Sequence, residues 1–285
     1  MISPARPAKT AASAPHPVLQ RLLSMAYPAV MGVLNVTPDS FSDGGRFLAP
    51  ERALAQAQKL RAEGADIIDI GAESTRPYGG MAPISAEEET RRLQPVLGGV
   101  VALGVPVSID SMKSEVAAFA LDQGAVIVND VWGLQRDRQM AALVAARNCP
   151  VIIMHNRDSA DPAIDIIKDM IAFFGRSLDI ADGANVPRGN IVLDPGIGFG
   201  KTAEQSMAAL ARLEEFRAIG LPILVGASRK SFIASVTPSD PQQRLGGSIA
   251  AHVLAARRGA QIIRTHDLAE TVQALKVMAA IEDQG

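Results

Sequence analysis

The sequence predicts an α/β protein, a single-domain (β/α)8 barrel of the TIM type. Three observations carry the prediction. Eight short apolar runs of β character recur along the chain, a helix-like stretch follows each, and nearly every run hands off to a polar residue at its C-terminal end. Catalytic groups of such barrels collect at the C-terminal ends of the strands, so those polar endings are candidate site residues.

The elements follow in order. Ala29 to Val36, carrying Asn35, precedes a helix over Glu51 to Glu63. Asp66 to Ile70, with Asp69, precedes Ala86 to Leu103. Pro106 to Asp110 leads to Lys113 to Asp122, and Ala125 to Asn129 leads to Asp137 to Arg147. Pro150 to His155 is followed by Pro162 to Ala181, and Asn190 to Asp194 by Ala203 to Ala218. Pro222 to Ser228 gives way to a short helix and then Pro241 to Arg258. Ala260 to Thr265 runs into His266 and a last helix, Leu268 to Ile281. Strand followed by helix, repeated, forces parallel pairing with right-handed crossovers.

Setting aside the first 28 of 285 residues leaves 257, close to the roughly 250 of one such barrel, and no second core is needed. The expected division is a tail over residues 1–28, disordered or partly helical, and a barrel over 29–285. The first seventeen residues lack the apolar core of a secretory signal and read as an Ala/Pro/Ser tail, with the cytoplasm as the expected location. A doubly wound open sheet would alternate strands and helices in the same way. Closure is favoured because no G-x-G-x-x-G follows the first strand and the polar endings run through the whole chain.

Composition is that of a globular protein: 48% hydrophobic, 20% charged, with 28 basic and 30 acidic side chains for a formal charge of −2. Neither nucleic acid nor a membrane is indicated as a partner. The one cysteine, Cys149, rules out an intrachain disulfide, and its place beside Pro150 reads as structural burial.

As chemistry, Asp69, Asp110, Asn129 and Asp194 put three carboxylates and an amide around the barrel mouth. Arg76, Lys230, Arg264 and His266 bring cations to the same face. Carboxylates read amino and ring N–H donors, and Arg reads phosphate oxygens, so an aminated heterocycle bearing a phosphate is the implied ligand. Taken singly, Asp194-Pro195-Gly196 also reads as a turn, and Asp110-Ser111 as a helix cap.

Longer strings carry a family likeness. Met31-Gly-Val-Leu-Asn-Val-Thr-Pro-Asp-Ser-Phe-Ser-Asp-Gly-Gly45 resembles the signature of the dihydropteroate synthases, the folate-pathway enzymes that sulfonamides inhibit. Asp69-Ile-Gly-Ala-Glu-Ser-Thr-Arg-Pro77, Ser108-Ile-Asp110, Val128-Asn-Asp130, Leu193-Asp-Pro-Gly-Ile-Gly-Phe-Gly-Lys201, Gly226-Ala-Ser-Arg-Lys-Ser231 and Ile263-Arg-Thr-His-Asp267 are similar in turn. Ala72, Tyr78-Gly-Gly-Met81 and His155-Asn-Arg-Asp158 depart from the family's usual pattern.

The resemblance implies condensation of 6-hydroxymethyl-7,8-dihydropterin diphosphate with 4-aminobenzoate, releasing pyrophosphate, with Mg²⁺, in a homodimer; the Ala-rich last helix pair, Pro241 to Arg258 and Leu268 to Ile281, with apolar positions to spare, is the expected contact. It assigns the pterin to Asp110, Asn129, Asp194 and Lys230. The diphosphate goes to Asn35, Thr75, Arg264 and His266, with Asn35 also meeting Mg²⁺. The 4-aminobenzoate goes to Phe41, Arg76, Pro77, Phe199, Ser228, Arg229 and Ser231. Lys230, Arg264, His266, Arg76 and Asp43 form the expected catalytic set, and Asp69 and His155 are expected to orient neighbours. The alternatives are a methyltetrahydrofolate-dependent methyltransferase of the same pterin-binding family and a non-catalytic pterin-binding paralogue.

Overall fold

Side chains alternate across each strand, and the alternation sorts this chain's apolar residues into two packed sets. The computed structural model describes residues 14–37, 49–73 and 83–284. Its strands are β1 (Ala29–Asn35), β2 (Ile67–Gly71), β3 (Val107–Asp110), β4 (Ile127–Asp130), β5 (Val151–Met154), β6 (Ile191–Asp194), β7 (Leu224–Val225) and β8 (Ile262–Thr265). Its helices are α1 (Pro17–Leu23), α2 (Ala49–Ala62), α3 (Ala86–Val101), α4 (Ser114–Asp122), α5 (Met140–Arg147), α6 (Ile166–Gly183), α7 (Ala203–Ala211), α8 (Ser231–Val236), α9 (Leu245–Arg257) and α10 (Leu268–Glu282).

All paired strands are parallel, in the order β6-β5-β4-β3-β2-β1-β8-β7. The two ends of that order meet where Leu193 bridges Ile223 and donates its N–H to the Pro222 carbonyl at 2.8 Å. The sheet is thereby closed into the expected barrel.

Outward residues such as Val30, Ile68, Ile70, Ile109, Val128, Ile153, Leu193 and Ile263 pack under the helices. Inward residues Ala29, Met31, Ile67, Ile127, Ile152, Val192, Leu224 and Ile262 fill the lower barrel. Two positions further along the strands, on the same inward side, stand Asp69, Asn129, Met154, Asp194, Gly226 and Arg264. An apolar tier therefore supports a polar tier at the C-terminal face.

Helix α1 closes the bottom. Pro17 occupies its first turn, the His16 ring accepts from the Val18 N–H, and Leu19 and Leu22 join the lower core at 1% and 2% exposure. Burial on this scale contributes about 1.5–3 kcal/mol per leucine. The packed unit thus begins before Ala29, while residues 1–13 of the expected tail lie outside the described residues.

Several helix bounds differ from expectation. Asp165 accepts from the N–H groups of Ile167 and Lys168, so α6 starts at Ile166 and not at Pro162. Thr202 and Gln205 form a reciprocal capping box on α7, which ends at Ala211 and continues as a 3-10 turn over Leu213–Ile219. The helix expected over Pro241 to Arg258 divides into a 3-10 turn, Pro241–Gln243, and α9. Strand β7 keeps only two paired residues, and beyond it Gly226 leaves room for the Arg264 side chain, whose Cβ lies 3.6 Å from a Cβ built at 226. Cys149 is buried, with its thiol pushed up to about 11 by desolvation. Among the described residues no helix is long and apolar enough to cross a membrane.

Candidate active site

The polar tier is organised around Arg264 at the inward end of β8. Its Nε donates to Asp69 Oδ2 at 2.7 Å and its Nη2 to Asp110 Oδ2 at 2.8 Å. Asn129 Nδ2 donates to the same Asp69 oxygen at 3.1 Å. Side chains thus tie β8 across β1 to β2, β3 and β4, and fully buried Asp69 orients both Arg264 and Asn129. Burial opposes the Arg264 charge, but Asp69 and Asp110 outweigh it and move its pKa upward. Burial and the Asp69 charge hold the Asp110 carboxyl above the usual carboxylate range, with Arg264 pulling the other way.

Above this network lies a pocket lined by Asp110, Asn129, Met154, Asp194, Phe199 and Lys230, with Gly226 and Arg264 at its wall. Asp110 Oδ1 and Asn129 Oδ1 are buried there without a hydrogen-bond partner in the protein. A buried acceptor left unpaired costs about 1–3 kcal/mol, so the pocket favours a ligand with N–H donors. Asp194 Oδ1 accepts from the Gly196 N–H at 2.7 Å, so the turn reading of Asp194-Pro195-Gly196 holds, and the same carboxylate faces the pocket. Burial pushes it up to about 6 against that hydrogen bond. The cap reading does not hold for either residue: α4 starts at Ser114 with Lys113 as its N-cap and no side-chain cap, and Ser111 Oγ accepts from the Lys113 N–H only in the turn before it.

Lys230 reaches over Phe199 from the start of α8, with Nζ 4.0 Å from the ring centroid. Behind Phe199, Lys201 is 2% exposed. Its Nζ donates to His155 Nδ1 at 2.7 Å, the Gly196 carbonyl at 2.8 Å and the Phe199 carbonyl at 2.9 Å. With Nδ1 accepting, His155 Nε2 carries the proton and donates to Asp169 Oδ2 at 3.0 Å. Burial, then the Lys201 charge, push His155 down to about 3, which keeps it neutral. Burial pushes Lys201 down to about 7, but three close acceptors match the three protons of the ammonium, and we take that as its form.

At the ends of β7 and β8, buried Ser228 Oγ accepts from the His266 N–H at 3.2 Å and lies 3.1 Å from His266 Nδ1. Arg229 has left-handed backbone, φ +57°, and its N–H donates to Ser248 Oγ. Both arms of its guanidinium go to Asp267, which raises its pKa. The helix expected to offer free N–H groups here is the six-residue α8, whose first residue, Ser231, is exposed. Asn35 ends β1 opposite Gly71 and is half-buried.

The structure brings together Asp110, Asn129, Asp194, Phe199, Lys230 and Arg264 around one pocket, and places Ser228 beside His266. Phe41, Asp43, Thr75, Arg76 and Pro77 lie outside the described residues. The sequence reading left Lys201, Asp169 and Met154 without a role. Met154 was legible, two positions past Ile152 on the inward side of β5. Lys201 closes the Gly196 to Gly200 string, where only three-dimensional packing reveals what its amine meets.

For a divalent cation, Asn35 offers one neutral oxygen. Among the described residues no group of three His, Cys, Asp or Glu side chains is set to hold a metal. One amide oxygen fits a hard ion that takes its other ligands from water and substrate phosphate.

A closed parallel barrel whose C-terminal mouth carries buried acceptors and cations is a TIM-type enzyme for a small ligand rich in N–H groups. Residues 31–266 match the family described as "Pterin binding enzyme", and the chain belongs to that family. It is 43% identical over 257 residues to the dihydropteroate synthase of Bacillus subtilis (strain 168), covering 90% of this chain and 89% of that one. Two Xanthomonas albilineans dihydropteroate synthase structures are similar. One, with 4-aminobenzoic acid, has TM-score 0.86 and 41% identity over 91% of this chain and 94% of that one. The other, in complex with 7,8-dihydropteroate, has TM-score 0.82 and 40% identity over 91% and 95%.

Proposed function

We propose that this enzyme condenses 6-hydroxymethyl-7,8-dihydropterin diphosphate with 4-aminobenzoate to give 7,8-dihydropteroate and pyrophosphate. The observation that carries the reading is the pocket itself, where unpartnered buried acceptors on Asp110 and Asn129 stand beside Asp194, with the Lys230 and Arg264 cations also lining it. That pattern complements a pterin, whose amino group and ring N–H form a two-point donor edge for the Asp194 carboxylate.

Displacement at the pterin methylene is dissociative. As the diphosphate leaves, positive charge spreads into the dihydropterin ring, and the pocket's carboxylates stabilise it. The guanidinium of Arg264 keeps N–H donors beyond the two taken by Asp69 and Asp110, and these with His266 meet the charge growing on the leaving group. Asn35 would hold Mg²⁺, which when bound neutralises diphosphate charge. The arylamine is neutral at pH 7, so the protein's task is to orient it, a role for Phe199 at the pocket and, by their motif, for Ser228 and Ser231. Arg229 is assigned to this side by its motif, with its guanidinium paired to Asp267. The reading extends to Thr75, Arg76, Phe41, Asp43 and Pro77 by their motifs alone.

A homodimer and a cytoplasmic location complete the proposal. A groove between α9 and α10, lined by Val253, Ala274, Val277, Met278 and Ile281, supports the first. The lone buried thiol of Cys149 suits a reducing compartment. The test is to incubate the full chain with dihydropterin diphosphate, Mg²⁺ and 4-aminobenzoate and to follow dihydropteroate by chromatography. Formation of the product is expected. Pterin binding without product would move the chain to the non-catalytic alternative.

A further inference from the structure

We propose that Lys201 is a positioning residue for the arylamine half of the reaction, fastening the loop that carries Phe199 to the fifth and sixth strands. The proposal rests on the dihydropteroate synthase reading given above.

The loop from Pro195 to Gly200 has little ladder support. Asp194 is held by β5, since it pairs with Met154 and its carbonyl accepts the His155 N–H at 2.8 Å. Beyond it the chain coils through left-handed Gly196, Gly198 and Gly200, at φ +61°, +80° and +55°. This conformation turns the carbonyls of Gly196 and Phe199 inward onto one ammonium. The loop also lies against the chain after β5, because a Cβ on Gly196 would stand 2.0 Å from the His155 carbonyl oxygen and one on Gly200 2.5 Å from Arg157.

The ammonium is itself held in place. Its third close acceptor is His155 Nδ1, and that ring is fixed by Asp169 on α6 and by an edge contact with Phe173 at 4.9 Å. Arg157 pairs with the other Asp169 oxygen at 2.9 Å. A line of polar contacts therefore runs from α6 through His155 and Lys201 to the backbone of Phe199. Lys201 does not line the pocket, so it acts through Phe199. Its removal should disturb Phe199 while leaving Asp194 in its strand.

The experiment compares full-length wild type with Lys201→Met and Asp169→Asn, measuring kcat and the KM of each substrate with the other saturating. Lys201→Met is expected to raise the KM for 4-aminobenzoate by about tenfold or more, from the hydrogen bonds lost at the loop, with the KM for dihydropterin diphosphate within about twofold. Asp169→Asn should shift the same ratio in the same direction by less. Equal changes in both KM values, or none in either, would overturn the proposal by reducing Lys201 to a general packing role. If Lys201→Met shows no cooperative unfolding transition, the ratio in Asp169→Asn decides alone. A wild-type protein that forms no dihydropteroate is a different result: it sinks the reaction, and this proposal with it.

Discussion

Asp194 shows why one residue can satisfy two readings at once. One carboxylate oxygen turns the chain by accepting the Gly196 N–H, and the same side chain faces the pocket. Replacing Asp194 with Asn keeps the shape but sets an amide donor against a donor edge of the ligand. Pterin affinity should fall by about 2–4 kcal/mol, roughly a hundredfold, read by calorimetry. Affinity should also depend on pH. Burial raises the Asp194 pKa to about 6, and only the carboxylate accepts two N–H groups, so affinity drops as pH falls through that value. Asp110, also held above its usual range, adds to the loss, and Asp194→Asn should leave only that shallower dependence. Equal pH slopes for the two proteins would contradict the assignment. At this scale the strand-end acids and amide were legible because each apolar run closes on a polar residue at its C-terminal end. Lys201 was not, since its partners are backbone carbonyls and a histidine 46 residues away.

Among the elements, the strands were the most legible, since short branched runs between glycines and prolines have one use in a parallel barrel. The start of α6 shifted at a cap, Asp165, whose effect depends on which side chain turns back onto the backbone, whereas α7 starts where expected, after Thr202, and differs only at its end. Helix α1 was the least legible. Its seven residues bury Leu19 and Leu22, with Val18 and Leu23 packed beside them, and their meaning depends on the barrel floor they cover. Leu22→Ala should cost about 2–5 kcal/mol of stability in urea unfolding while leaving kcat unchanged, because the leucine lies under the apolar tier, away from the mouth. A loss below about 1 kcal/mol would show α1 to be ornamental to the core.

For the whole molecule, closure followed from the spread of polar endings along the entire chain, and the Leu193–Ile223 bridge is where it is realised. The outer surface was less legible because small residues on α9 and α10 serve helix packing and an interface equally well. Val277 and Ile281 remain 53% and 67% exposed on α10, beside the groove it forms with α9. If the proposed dimer forms through this groove, light scattering at micromolar concentration should give a dimer mass for the wild type and a monomer mass after joint replacement of both by Glu, with the fold intact by circular dichroism. An unchanged mass would place any interface elsewhere.

The two tiers inside the barrel have a further consequence, for how such a protein changes over generations. On β4, β5, β6 and β8 one strand contributes to both tiers, yet the residues that hold the barrel together and those that line the pocket are different residues two positions apart. Variants under selection for altered ligand preference can accumulate at the mouth without drawing on the stability of the floor. Asp69 is the exception: it is locked to Arg264 and Asn129, so no single replacement there is private to one neighbour. Drift in this chain should be freest at the pocket's apolar wall, around Met154, and slowest at the Asp69–Arg264 pair.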